Sequence, residues 1–589
     1  MTSPDSSIIK SLFKLYRAGD YRALLEQTRS LLAAHPGELA LHSLSGSAYL
    51  ELEDFESAIN SYQKALAIKP DFAKLHNSLG IAYLRTGQLE QAAGSFHNAV
   101  KHDSQFAQAW FNLGIVYENR RRLPEAAGYF KTATQLNPVY YQAFSSLAKV
   151  LWELRITEQV AEFYEKALAV EKAYLPAHLG LLHFLEQSNQ HEKLHDAVSR
   201  ARKALGPHVV VRLYEGILTD INGKHEEAKT LLEDITIEPT DAWTRYGERT
   251  RLARLAHICD RLNDTTAAFQ FALRANGLSQ EISDGKGIDK ASFLQFVEHR
   301  RTYFVSENIK QWPDYAPGDG LQVRPRPGDK SVPGRGNEPV FIIGFPRSGT
   351  TLLDTLLRGH PSIEVAEEID AVPRMVNRLS GDADERLDAL ATLSDSDGES
   401  CRRTYLDTLA RHVKPENDSA ILIDRFALNI IYTGEIVRLF PQARFILLLR
   451  HPADCVLSCF MQTFYETSAN ASFFTLEDSA HLYDQVFGLW RQYTDTLQLN
   501  ILQVKYEDLI ADVESTCRRI TDFLEMPWHP GILEHERTAG DRPLIGTASY
   551  NQVTRPLYTE ARERWQRYRA EMQSVLPVLE PWIRYFEYQ

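Results

Sequence analysis

Small and apolar positions in the first third of the chain recur every 34 residues. Gly46, Gly80, Gly114 and Ala148 mark one register, and Tyr49, Tyr83, Tyr117 and Leu151 a second. Ala58, Ala92 and Ala126 form a third, Tyr62, Phe96, Phe130 and Tyr164 a fourth, and Ala65, Ala99, Ala133 and Ala167 a fifth. Pro36, Pro70 and Pro138 share a sixth, with Ser104 in the missing slot. The pattern predicts two helices per repeat: small residues let them approach, an aromatic fills the gap, and proline closes the second helix. From Ala173 to about Gln280 the pattern weakens, and its fragments read as divergent helix pairs that cap the array. Trp312 to Glu338 is rich in Pro, Gly, Arg and Asp, the composition of a linker. Beyond Pro339, short apolar runs alternate with helical patterns, as in an α/β fold with a parallel sheet. The expected division is repeats over 1–172, divergent helical repeats and a connector over 173–311, a linker over 312–338 and an α/β domain over 339–589.

The repeat length and its alternation of small and aromatic positions resemble the tetratricopeptide repeat. That resemblance implies an all-α solenoid with a concave face that takes a protein or peptide partner, or that pairs with itself in a homodimer.

At 589 residues the chain exceeds what one core supports. With 44% hydrophobic and 24% charged residues it has the composition of a soluble globular protein. A formal charge of −13 argues against a general nucleic-acid binder, so any anion site must be a local cluster of cations. No apolar run approaches the ~20 residues that span a membrane. The first residues are polar and broken by charges, unlike a secretory signal, so a cytoplasmic location is expected. Cys259, Cys401, Cys455, Cys459 and Cys517 are scattered without CxxC spacing, which reads as reduced thiols and no metal site.

Candidate chemistry starts at the apolar run Pro339–Gly344. It leads into Gly344-Phe-Pro-Arg-Ser-Gly349-Thr350-Thr351 and an amphipathic stretch. A buried strand, a glycine-bracketed loop and a helix N-terminus make an anion cradle with G-x-x-x-x-G spacing. Thr350 stands where a nucleoside triphosphatase carries its lysine; Thr351 keeps the hydroxyl, and the cation is Arg347, inside the loop. Alone, the loop also fits a degenerate kinase or NTPase, or a structural turn. A second strand-to-helix signal lies at Ala443–Phe460. Arg450 falls at the carboxyl end of FILLL, and Ser458 eight residues on. An arginine and a serine so placed suit a phosphate monoester.

The two motifs together resemble those of sulfotransferases that use 3′-phosphoadenosine 5′-phosphosulfate (PAPS). The likeness covers nearly all of 339–589. It is nearest to bacterial sulfotransferases fused to tetratricopeptide repeats and extends to tyrosylprotein sulfotransferases. The resemblance implies an α/β P-loop-type domain in which Arg347, Ser348, Gly349, Thr350 and Thr351 hold the 5′-phosphosulfate, and Arg450 and Ser458 the 3′-phosphate. It further implies nucleotide contacts from Tyr506, from Ser549, Gln552 and Arg555 of a late loop, and from Arg564. His360-Pro361, Glu367-Glu368 and Pro373-Arg374 follow the order of the tyrosylprotein enzymes, which makes Glu368 the general base and Arg374 an acceptor contact. Adjacent residues should point apart, so one glutamate is expected to face the site. Arg425 stands where the family has a lysine at the bridging oxygen, and shares that catalytic role with Arg347. Gln462 replaces an arginine that contacts the 3′-phosphate in the animal enzymes, a role that then falls to Arg555 or Arg564. The expected activity is sulfuryl transfer from PAPS, without metal, to a hydroxyl on a protein or peptide, tyrosine-like. A carbohydrate, lipid or small metabolite is the alternative acceptor, and an inactive scaffold or a P-loop kinase the alternatives of another class.

Overall fold

The computed structural model describes residues 6–154, 156–312, 339–379, 383–413, 420–540 and 562–588. They form two compact units, Met1–Tyr214 and Glu215–Gln589.

The first unit is a run of helix pairs from Ser6–Arg17 and Tyr21–Ala34 to Leu175–Gln187 and His191–Leu205. The sequence registers are its packing rule. Gly80, on Ala73–Arg85, faces Phe96, on Leu89–His102, so closely that an added Cβ would lie 2.6 Å from the ring. Gly46 with Tyr62 and Gly114 with Phe130 repeat the contact. In these three helix pairs the facing surfaces are thereby fitted by one small and one aromatic position.

The second unit is built on a five-stranded sheet in the order β2-β3-β1-β4-β5. The strands are β1 (Val340–Gly344), β2 (Ile363–Glu367), β3 (Ile421–Arg425), β4 (Arg444–Leu449) and β5 (Asn500–Lys505). Every neighbouring pair is parallel, so all carboxyl ends share one edge. β1 is buried at all five positions, which is why it reads as an unbroken apolar run.

The connector belongs to this unit. Helices Ala242–Arg261, Thr265–Gly285 and Lys290–Tyr303 contribute Ala256, Ala272 and Val297, and the residue after them Phe304, to the hydrophobic core that holds Phe341 and Phe445 of the sheet. Buried Arg300 donates to buried Glu435 at 2.5 Å, and Asn276 Nδ2 to Phe460 O at 2.9 Å. Ala242–Arg261 and Thr265–Gly285 form a helix pair, as the weakened pattern predicts, and Arg254 Nη1 donates to Asp220 Oδ2, 34 positions earlier, at 3.1 Å; the same helices also pack on the sheet domain. Trp312, expected to open the linker, is 2% exposed in the same core, under the Arg438 guanidinium. Among the described residues no helix is long and apolar enough to cross a membrane.

Candidate functional site

The loop after β1 is wrapped too closely for side chains at its glycines. A Cβ at Gly344 would lie 2.5 Å from Leu448 O. Gly349 has φ +103°, and a Cβ there would lie 2.4 Å from the Tyr506 ring. Between them Arg347 also takes a left-handed φ of 70°, rare for a residue with a side chain. Helix Thr350–Leu357 begins immediately after the loop, with its first-turn N–H groups at the sheet edge.

Arg347, Ser458, Arg450 and Tyr506, drawn from three different strand ends, converge here. Arg347 Nε donates to Ser458 Oγ at 3.1 Å, and Arg450 Nη1 donates to Arg347 O at 3.1 Å. The Arg450 guanidinium lies 5.0 Å from the centre of the Tyr506 ring, a cation–π contact. Burial opposes the Arg450 charge, yet Asp454 and the neighbouring acidic groups outweigh it and raise its pKa. Ser348 Oγ is buried without a hydrogen-bond partner among the described residues. An orphaned hydroxyl, two glycines whose side-chain space is closed and two arginines fit a phosphate ester.

On the other side of β1, Arg425 ends β3 and is 1% exposed. Its Nη2 lies 2.6 Å from Glu367 Oε1 and 3.1 Å from Asp354 Oδ2, and its Nη1 lies 3.0 Å from Glu368 Oε1. Burial alone would lower the Arg425 pKa; Glu367, Asp354 and Glu368 reverse this and hold it above the ordinary arginine value. The two glutamates do not point apart. Glu367 is in register with Arg425, which puts both on one face of the sheet. Glu368 has φ 49°, and this left-handed turn brings its side chain back to the same guanidinium.

Other expected residues lie in varied surroundings. Thr350 and Thr351 are buried in the first turn of the loop helix. Arg374 is exposed and pairs with Asp370 at 2.7 Å, an ion pair that an acceptor could displace at little cost. Arg564 lies beside the second motif, because the Glu563 and Trp565 N–H groups donate to Asp454; its guanidinium pairs with Asp260 at 3.0 Å. Of the two arginines expected to stand in for the one that Gln462 replaces, Arg564 is thus held by the connector. Ser549, Gln552 and Arg555 fall outside the described residues. His360 accepts from Ser362 N on Nδ1 and bonds Pro527 O through Nε2, both 3.1 Å or less. His451 stacks on Trp565 at 5.1 Å, and burial, with Arg450 alongside, lowers its pKa to about 4.

Sequence reasoning missed three carboxylates. Asp354 anchors Arg425 and Arg358, Asp454 anchors the C-terminal segment, and Asp260 binds Arg564, Arg567 and Tyr568. Only Asp354 left a local trace, a charge inside the apolar stretch LLDTLL.

A parallel sheet carrying a glycine-bracketed anion loop at the end of its central strand is a P-loop-type phosphate-binding domain. Residues 339–530 match the sulfotransferase family model, and residues 46–87 and 77–141 match models of the tetratricopeptide repeat. The chain joins N-terminal tetratricopeptide repeats to a domain of the sulfotransferase family. It is 26% identical over 428 residues to an uncharacterized protein of Aquifex aeolicus, covering 70% of this chain and 52% of that one. It is 28% identical over 237 residues to protein-tyrosine sulfotransferase 1 of Danio rerio, covering 38% of this chain and 65% of the relative. Protein-tyrosine sulfotransferase A of Caenorhabditis elegans is likewise 28% identical over 264 residues, 41% of this chain and 65% of the relative. The chain thus spans between half and two thirds of the length of these three relatives. Among solved structures, that of Pseudomonas aeruginosa pilF aligns with 35% of this chain and 94% of its own at 19% identity and a TM-score of 0.31.

Proposed function

We propose that the chain transfers a sulfuryl group from PAPS to an acceptor hydroxyl on a protein or peptide, tyrosine-like, recruited by the repeats. The observation that carries this reading is the convergence of Arg347, Arg450 and Ser458 on one side of β1 with the Arg425-bound glutamates on the other. The donor supplies an activated sulfuryl group. Arg347 and the loop N–H groups, with Ser348, hold the phosphate end and stabilise charge on the leaving oxygen. Arg450 and Ser458 take the 3′-phosphate. Glu368, the more exposed of the pair at 37% against 14% for Glu367, accepts the proton from the acceptor hydroxyl. Arg374 contacts the acceptor. The distant likeness to protein-tyrosine sulfotransferases supports a tyrosine acceptor, and the absence of the loop lysine disfavours a kinase.

The test is transfer of ³⁵S from labelled PAPS into a fractionated lysate by the full chain. A labelled protein band supports the reading. Label confined to lipid, carbohydrate or low-mass material moves the acceptor to that class. Calorimetric binding of ATP–Mg²⁺ without binding of 3′,5′-diphosphoadenosine (PAP) would replace sulfotransfer by a kinase.

A further inference from the structure

We propose that Arg425 is a positioning residue that sets the general-base carboxylate, and that it does not serve as the cation at the leaving oxygen; this rests on the sulfotransfer reading above. Both terminal nitrogens of Arg425 already carry carboxylates, Glu368 on Nη1, and Glu367 and Asp354 on Nη2. The group is sealed from solvent, at 1% exposure. Its anchor is itself anchored: Asp354 Oδ1 accepts from Arg358 Nε at 2.5 Å, and Arg358 Nη2 donates to Val365 O at 2.7 Å. One planar guanidinium therefore ties the loop helix, the end of β2 and the end of β3 into a single unit.

A lysine could not do this. Its ammonium is a point charge on a flexible stem, whereas the guanidinium presents a fixed fork to several carboxylates. The left-handed backbone at Glu368 is the second independent observation. Such a conformation costs about 1–3 kcal/mol and persists where surrounding contacts over-determine it. Here Glu368 N donates to Arg425 O at 3.0 Å while the side chain meets Arg425 Nη1. Residue 425 thus holds Glu368 at its backbone through a carbonyl that any residue supplies, and at its side chain through the guanidinium that arginine adds. The cation at the leaving oxygen is then Arg347, whose Nε already lies against Ser458.

The test uses the full chain, its Arg425→Lys variant, Glu368→Gln and the double variant. PAP binding is measured by calorimetry, and ³⁵S transfer from PAPS with phenol and with the more acidic 4-nitrophenol as probe acceptors. Failure of the unaltered chain to bind PAP would sink the sulfotransfer reading and this inference with it. If the chain binds PAP, Arg425→Lys is expected to keep that affinity within about threefold. It should slow transfer to phenol by roughly 10- to 100-fold, part of the range for a general base, and transfer to 4-nitrophenol much less. The double variant should be no slower than Glu368→Gln alone, because Arg425 acts through Glu368. A tenfold loss of PAP affinity, or losses that multiply in the double variant, would overturn the inference in favour of a leaving-group cation. Should Arg425→Lys lose cooperative melting, Asp354→Asn loosens the same guanidinium from the far side. It must then show the same acceptor-dependent loss with PAP affinity intact, and equal loss on both phenols would refute the proposal. Should neither phenol be an acceptor, PAP affinity decides: retention in either variant supports positioning, and tenfold loss overturns it.

Discussion

On the proposed reading, replacing Arg450 by alanine separates the contributions of the two phosphates of PAP. The side chain is 8% exposed and makes two kinds of interaction relevant to binding. Its Nη1 supports the phosphate loop by donating to Arg347 O at 3.1 Å. On the proposed reading the guanidinium also binds the 3′-phosphate. Removing the first interaction deletes one intramolecular hydrogen bond, about 0.5–1.5 kcal/mol. That loosens the loop and weakens any 5′-phosphate ligand roughly 2- to 10-fold. Removing the second deletes a charge-assisted bond of about 1.5–3 kcal/mol, a further factor of about 10 to 150 that applies to PAP alone. Calorimetry with PAP and with adenosine 5′-monophosphate, at one salt concentration, measures both. Thermal melting checks the fold, since the stacking of the guanidinium on the Tyr506 ring is worth about 0.5–2 kcal/mol. Equal weakening of the two ligands would refute the placement of the 3′-phosphate at Arg450.

Four further outcomes are expected. Gly349→Ala should abolish PAP binding, measured by calorimetry, because φ is +103° and the new Cβ would lie 2.4 Å from Tyr506. Glu368→Gln should lower turnover on an ordinary phenol or alcohol by about 10²- to 10⁴-fold with PAP affinity unchanged, while Glu367→Gln keeps most activity, read by ³⁵S transfer. A fragment starting at Glu215 should melt cooperatively and bind PAP, whereas one starting at Pro339 should do neither, because it lacks Phe304 and Trp312 of the core. Burial raises the Asp424 carboxyl from 3.8 to about 7 against the pull of Tyr405, Arg425 and Asn429. The folded state then keeps this proton while the unfolded chain releases it. Stability falls as pH rises from about 4 to 7 and is level above, by up to roughly 4 kcal/mol. Asp424→Asn should therefore raise the melting temperature at pH 8 and not at pH 4.

The parts legible in sequence are those whose cause is local. The Gly–aromatic registers of the repeats become packed pairs because each pair lies sixteen positions apart in one helix pair, as Gly80 and Phe96 do. The phosphate loop and the Arg450–Ser458 spacing follow from a strand feeding a helix. Arg425 is visible in sequence as a cation, but its carboxylate partners come from two other elements. The expectation that Glu367 and Glu368 diverge assumes ordinary strand geometry and fails at one left-handed residue. The packing of the connector on the sheet is not legible in sequence for a related reason. Helix periodicity reports that a face is buried, not which surface buries it, and Asn276 with Phe460 or Asp260 with Arg564 leave no local trace.

The strand order carries a consequence for how the proposed activity's preferences can change. With β1 in the middle, the proposed donor contacts Arg450, Ser458 and Tyr506 follow β4 and β5, and the proposed acceptor contacts Glu368 and Arg374 follow β2. On that reading the two substrates are gripped by opposite wings of one sheet that share only the loop at its midline. Substitutions on the β2–β3 wing can redirect the chain to a new hydroxyl while the donor grip stays intact. Drift in acceptor and constancy in donor are thus built into the topology.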